Sequence, residues 1–184
     1  MAFTDSQDQF DVRRLVFIDE SGCHPGIGPR RGWTKRGLPL HGPEQAYARG
    51  RHVSMIAALT VKGISALMTV CGGVKGADFE WFVFNKLIPT LQRGDVVLWD
   101  NLNLHKRADL RAAIESVGAC VVQLPRYSPD LNPIEAAWGK VKAWIRKRWP
   151  KNVAQLRSLI RRGLRRIRPS DARGWFNYCG YSLP

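Results

Sequence analysis

The sequence predicts an α/β fold built on a mixed five-stranded sheet, three antiparallel strands followed by parallel ones, with helices on both faces. Three observations predict it. First, the apolar runs His52–Val61 and Ile64–Cys71 are separated by Lys62-Gly63, a tight-hairpin signal, and follow a shorter run, Leu15–Ile18. That opening third reads as an antiparallel meander. Second, from Gly76 onward segments of helical spacing alternate with short apolar runs, the pattern of parallel strands joined by crossovers. Third, no linker, internal repeat or low-complexity segment interrupts the 184 residues, so one packed core is expected.

Taken in order, Leu15-Val-Phe-Ile18 reads as a buried strand closed by a turn at Asp19-Glu20-Ser21-Gly22. Cys23–Pro43, rich in Gly, Pro and Arg with Trp33 in its middle, reads as an irregular loop or a short strand pair. After the hairpin, Phe79, Phe82 or Val83, Leu87 and Leu91 recur at three to four residues and predict a helix over 76–92. Asp95–Asp100 is a short strand ending in a carboxylate, Ala108–Val117 a helix, and Ala119–Pro125 a strand. Asn132 and Pro133 then suit the cap and first turn of a helix running to about Trp149. A basic helix over 153–167 places Val153, Leu156, Ile160, Leu164 and Ile167 on one face, Pro169 stops it, and Asp171–Tyr178 adds a last turn or two. The predicted organisation is an N-terminal extension (1–13), a main α/β domain (14–149) and a basic helical extension (150–184) packed on the same domain.

Charge is unevenly distributed. The net charge is +14, yet residues 136–184 carry 13 Lys and Arg against the single acid Asp171, leaving the remainder close to neutral. A polyanion, nucleic acid above all, is the natural partner of such a tail. The apolar stripe of the basic helix has no aromatic residue, so packing on the domain is a simpler account than a membrane surface. The N-terminus is polar and acidic, unlike a signal peptide, and no apolar run approaches the roughly 20 residues that span a bilayer. Cys23, Cys71, Cys120 and Cys179 have no metal-binding spacing and suit a reducing cytoplasm; Cys71 and Cys120, in apolar runs, read as buried thiols.

Three carboxylates stand in matching settings. Asp19 closes the first strand, Asp100 closes the fourth, and Glu135 sits in the first turn of the helix after the fifth. With the first and fourth strands as parallel neighbours, all three reach one sheet edge. Clustered carboxylates repel each other and stay ionised together only beside cations. Hard oxygen ligands select Mg²⁺ or Mn²⁺, and a pair of such ions can drive phosphodiester displacement. The competing reading of Glu135 is a capping box with Asn132.

Phe17-Ile-Asp19-Glu20-Ser21-Gly22, Trp99-Asp100-Asn101-x-x-x-His105-Lys106 and Tyr127-Ser-Pro-Asp-Leu-Asn-Pro-Ile-Glu135-x-x-Trp138 resemble the three catalytic blocks of DDE transposases of the mariner-like insertion-sequence group, including the 34 residues between Asp100 and Glu135. The resemblance runs from about Arg14 to Trp149. It implies an RNase H-like fold, a two-metal site on Asp19, Asp100 and Glu135, cleavage of transposon ends by hydrolysis, and transfer of the 3′-OH to target DNA. It also implies a homodimer. Relatives carry N-terminal helix-turn-helix modules that read the element's ends; a catalytic fragment or the second frame of a split element is therefore expected here, with that portion supplied separately. The rivals are another RNase H-like nuclease and a non-catalytic DNA-binding or dimerising fragment.

Around the triad, Glu20 should point away from Asp19 on an extended chain. Asn101 and His105 could orient water or phosphate beside the second aspartate, or satisfy a turn. Asp130 reads as a turn residue, and Trp138 as core, one helical turn beyond Glu135. Lys142 and Arg146 continue in line from Glu135 and suit a DNA backbone. Arg30, Arg31, Lys35 and Arg36, with Trp33, form a basic loop that either contacts DNA or is merely exposed.

Overall fold

The computed structural model of the chain describes residues 10–28, 32–39, 52–99, 108–125 and 128–182. Its strands are β1 (Leu15–Cys23), β2 (Val53–Thr60), β3 (Gly63–Cys71), β4 (Val96–Trp99) and β5 (Cys120–Gln123), in the spatial order β3-β2-β1-β4-β5. β1, β2 and β3 pair antiparallel, whereas β1–β4 and β4–β5 pair parallel. The β2–β3 turn is made possible by Gly63, whose φ of 113° is open to glycine at little cost.

β1 does not end at Asp19, as the sequence suggested. It stays paired with β2 through Cys23↔Val53, because ladder hydrogen bonds to β2 outweigh the turn propensity of Ser21-Gly22. Strand alternation then divides the core in two. Leu15, Phe17, Met55, Ala57, Leu59 and Leu98 face one side, where α3 (Pro133–Arg146), α4 (Val153–Leu164) and α5 (Pro169–Tyr178) pack. Val16, Ile18, Ile56, Ala58, Val97 and Trp99 face the other, against α1 (Gly76–Phe82) and α2 (Ala108–Ser116).

The predicted helix over 76–92 is a composite. α1 passes into a π-helical turn at Val83–Leu87 and a 3₁₀ turn at Ile88–Thr90. Pro89 lacks the N–H that an α ladder needs, and the wider turn still buries Phe82, Val83 and Leu87. α3 stops at Arg146, three residues early, with Trp149 at φ 45° and Pro150 beyond. The basic helix expected over 153–167 ends at Leu164, so Pro169 does not stop it. Pro169 is the first residue of α5, the position where a proline's missing N–H goes unneeded.

The stripe Leu156, Ile160, Leu164 and Ile167 is buried in the α3-side cluster, as expected of a packed helix. Lys140 of α3 forms an ion pair with Asp171 of α5, and Asp171 also accepts from the Arg168 N–H. The cysteine expectation is reversed: Cys71 and Cys120 are exposed and Cys23 and Cys179 buried, all four as free thiols. Cys71 ends β3 and Cys120 begins β5, both edge strands, where an apolar neighbourhood in sequence does not guarantee cover. Among the described residues no helix is long and apolar enough to cross a membrane.

Candidate active site

Asp19 owes its position to strand parity. It follows Leu15 and Phe17 on the α3-side face of β1 and lies opposite Ala57 of that same cluster, whereas Glu20 lies opposite Ile56 of the other. The separation expected of these two acids is therefore present. The parallel ladder to β4 runs from Leu15↔Val96 to Phe17↔Leu98, so Asp19 stands where β4 ends.

Glu135 is delivered by a short 3₁₀ turn, Pro129–Leu131, followed by Asn132 and by Pro133 at the start of α3. Asn132 occupies the cap position with φ −114°, and its carbonyl accepts from the Glu135 N–H at 3.1 Å. The capping-box reading fails: no side-chain cap bond forms, and the Asn132 Oδ1 is buried with no partner among the described residues. The exposed Glu135 carboxylate is thus available to the cleft instead of the helix end. That cleft, about 210 Å³, is lined by Asp19, Leu124, Pro125, Ser128, Pro129, Asn132 and Glu135.

A role that the sequence did not disclose belongs to Trp138. Its ring is 2% exposed within the core, as expected, but its indole N–H also donates to Asp19 Oδ2 at 2.9 Å. A buried indole needs an acceptor, and Asp19 was the carboxylate expected at that sheet edge; this was the available signal. Burial pushes the Asp19 carboxyl up to about 6, against the downward pull of the Trp138 N–H and the Glu20 backbone N–H; the negative charge of Glu135 adds to the rise. Tyr181 was missed as well. Its hydroxyl donates to the Leu131 carbonyl at 2.8 Å, while its ring packs edge-on against Phe17 at 5.1 Å. One C-terminal residue thereby touches both the turn ahead of Glu135 and the strand ahead of Asp19.

Lys142 and Arg146 are half-buried on α3. The buried Cys23 thiol is raised by desolvation, and both cations pull it down, which sets them near the end of β1. Lys35, Arg36 and Trp33 are exposed. Asp130 is exposed in the 3₁₀ turn. Asp100, Asn101, His105, Arg30 and Arg31 lie outside the described residues. Among the described residues no group of three His, Cys, Asp or Glu is disposed to hold a metal. What the described cleft does offer is a hard donor set: two carboxylates and an orphaned amide oxygen, open to water. Such donors fit Mg²⁺ or Mn²⁺ and not a soft metal.

Strand order, pairing sense, helices on both faces and a carboxylate on the central strand together define an RNase H-like fold. A model of the DDE superfamily endonucleases matches residues 14–157, and the chain belongs to that family. Solved structures agree in fold. The Mos1 mariner paired-end complex with Mn matches at TM-score 0.70 and 17% identity, over 92% of this chain and 52% of that one. The Mos1 strand transfer complex gives 0.68 and 17%, over 92% and 52%. The Mos1 paired-end complex with Mg gives 0.67 and 19%, over 94% and 53%. The chain thus spans about half the length of these proteins. No curated protein matches it.

Proposed function

We propose that this chain is the catalytic portion of a transposase, a divalent-metal-dependent DNA endonuclease and strand transferase. The observation that carries this reading is the pairing of Asp19 and Glu135 in one cleft, with Asp19 held by Trp138. In this proposal Asp19, Glu135 and Asp100, the residue after β4, hold two Mg²⁺ or Mn²⁺ ions. Such ions, when bound, supply activation of the attacking water or 3′-OH and neutralise charge at the phosphate. The protein's own contribution is placement. Trp138 and the Glu20 backbone N–H orient the Asp19 carboxylate at the cleft, and the first turn of α3 holds Glu135 on the same cleft. Lys142 and Arg146 carry the phosphate backbone away from the cleft along α3, with Arg30, Arg31, Lys35 and Arg36 as further contacts. Asn101 and His105 orient groups beside Asp100.

The substrates proposed are transposon ends and target DNA, handled by two copies of the chain with a helix-turn-helix portion for end recognition. The paired-end and strand-transfer complexes of the similar Mos1 proteins, one holding Mn and one Mg, support this reading. Four free thiols suit work in a reducing cytoplasm. The test is cleavage of supercoiled plasmid with Mg²⁺, Mn²⁺ or EDTA by the wild type and Glu135→Gln. Nicking that requires metal and is lost in the variant is expected. If folded wild type binds DNA yet never cuts, even with an end-recognition portion supplied, a DNA-binding accessory role replaces the catalytic one.

A further inference from the structure

We infer that the face shared by α3 and α4 is a second DNA-binding surface, built around Trp144 and directed at the sugar–phosphate backbone of duplex DNA. It rests on the DNA-binding half of the reading above and not on cleavage. Trp144 follows Glu135 by nine residues, which at about 100° per residue is roughly half a turn around α3. It therefore faces away from the cleft.

Three guanidinium carbons lie within 6.0 Å of the centroid of the Trp144 ring: Arg148 at 3.8 Å, Arg166 at 5.9 Å and Arg162 at 6.0 Å. Arg148 lies two residues beyond the end of α3, Arg162 in the last turn of α4 and Arg166 two residues beyond it. Gly163 allows this approach, since a Cβ there would meet Trp144 Cε3 at 3.3 Å and Val141 Cγ1 at 3.2 Å. All three arginines are exposed, and among the described residues none pairs with a carboxylate. Asp171, the single acid beyond Glu135, is occupied by Lys140. Like charges gathered around one ring repel each other. The negative end of the α3 dipole accounts for Arg148, which donates to the Trp144 carbonyl at 3.0 Å, but not for the two arginines brought in from α4.

The chemistry of the site selects its occupant. Arg148 lies over the indole at 3.8 Å and, beyond its one bond to the Trp144 carbonyl, has further N–H donors for phosphate oxygens. The ring is covered by Arg148 and lies close to Gly163 of α4, which limits its use as a platform for an unstacked base. Single-strand binding by stacking is thus disfavoured and backbone contact favoured.

The test uses the full chain in EDTA, where cleavage is silent, and follows binding of a mixed-sequence duplex by fluorescence anisotropy across salt. Removing Arg148, Arg162 and Arg166 together (each to Gln) should flatten the slope of log affinity against log salt by roughly 2 to 3, at about 0.9 per lost phosphate contact. A charge-matched triple at Lys62, Lys86 and Arg93 should change it by well under 1. Equal effects of the two triples, or no effect of the first, would overturn the inference. Should the first triple fold poorly, Arg162→Gln alone, exposed on α4, should flatten the slope by about 0.9, and no change there overturns it equally. Absence of cleavage in the plasmid assay leaves these outcomes unaffected, so the two readings fail separately.

Discussion

At the scale of single residues, the Trp138–Asp19 hydrogen bond is what turns a core tryptophan into part of the site. Trp138→Phe keeps the packing and deletes the donor. Hydrogen bonds to charged groups contribute about 1.5–3 kcal/mol, so nicking should fall by roughly 10- to 100-fold while the fold survives. The carboxyl resonance of Asp19 should titrate higher in that variant, which carbon NMR can read; an unchanged titration would show the bond to be unimportant. Asp19 also gives the metal-free protein a pH signature. Its folded pKa of about 6 exceeds the ordinary 3.8, so the folded form binds its proton more tightly than the unfolded chain does. The resulting stability is full below 3.8 and lost as pH rises through 6, on the order of 2–3 kcal/mol. In EDTA, the wild type should therefore lose stability from about pH 4 to about pH 6.5 relative to Asp19→Asn. Parallel melting curves for the two proteins would refute the assignment.

At the scale of elements, α3 does two jobs with adjacent faces. Its stripe Ile134, Trp138, Val141 and Ile145 fills the core, while its first turn presents Glu135. α4 can lie close against it only through Gly163. Alanine is the better helix former by about 1 kcal/mol, yet at this position its methyl group would press on Val141 and Trp144. Gly163→Ala should consequently destabilise the protein by about 1–2 kcal/mol, read as a lower urea midpoint with unchanged slope. A gain in stability would mean that the helices part easily.

At the scale of the molecule, the part of the chain matched by the family model leaves out part of the core. The match ends at residue 157, but Ile160, Leu164, Ala172, Phe176 and Tyr181 are buried in the α3-side cluster. Phe176 and Tyr181 both pack on Phe17 of β1, and Tyr181 braces the turn that leads to Glu135. Truncation after Arg157 would uncover that apolar surface at about 25 cal/mol per Å². The truncated chain should show no cooperative melt by circular dichroism, whereas the 184-residue chain should. A cooperative transition in the truncated form would limit the C-terminal helices to an accessory role.

The sequence by itself determined which segments are strands and helices and the two-faced sheet, and it singled out Asp19 and Glu135, which line one cleft. Those follow from local pattern: Leu15–Ile18 is apolar throughout, the α3 stripe repeats every three to four residues, and Asn132-Pro133 suits the start of a helix. Local pattern could not determine where β1 stops, because pairing with β2 decides that. Nor could it reveal that Cys71 and Cys120 fall on exposed edges, because cover comes from distant segments. The orientation of Asp19 by Trp138, 119 residues away, and the brace from Tyr181, 50 residues beyond Leu131, were equally out of its reach. Such contacts join residues whose separation in sequence bears no relation to their separation in space, and tertiary packing alone brings them within hydrogen-bonding distance.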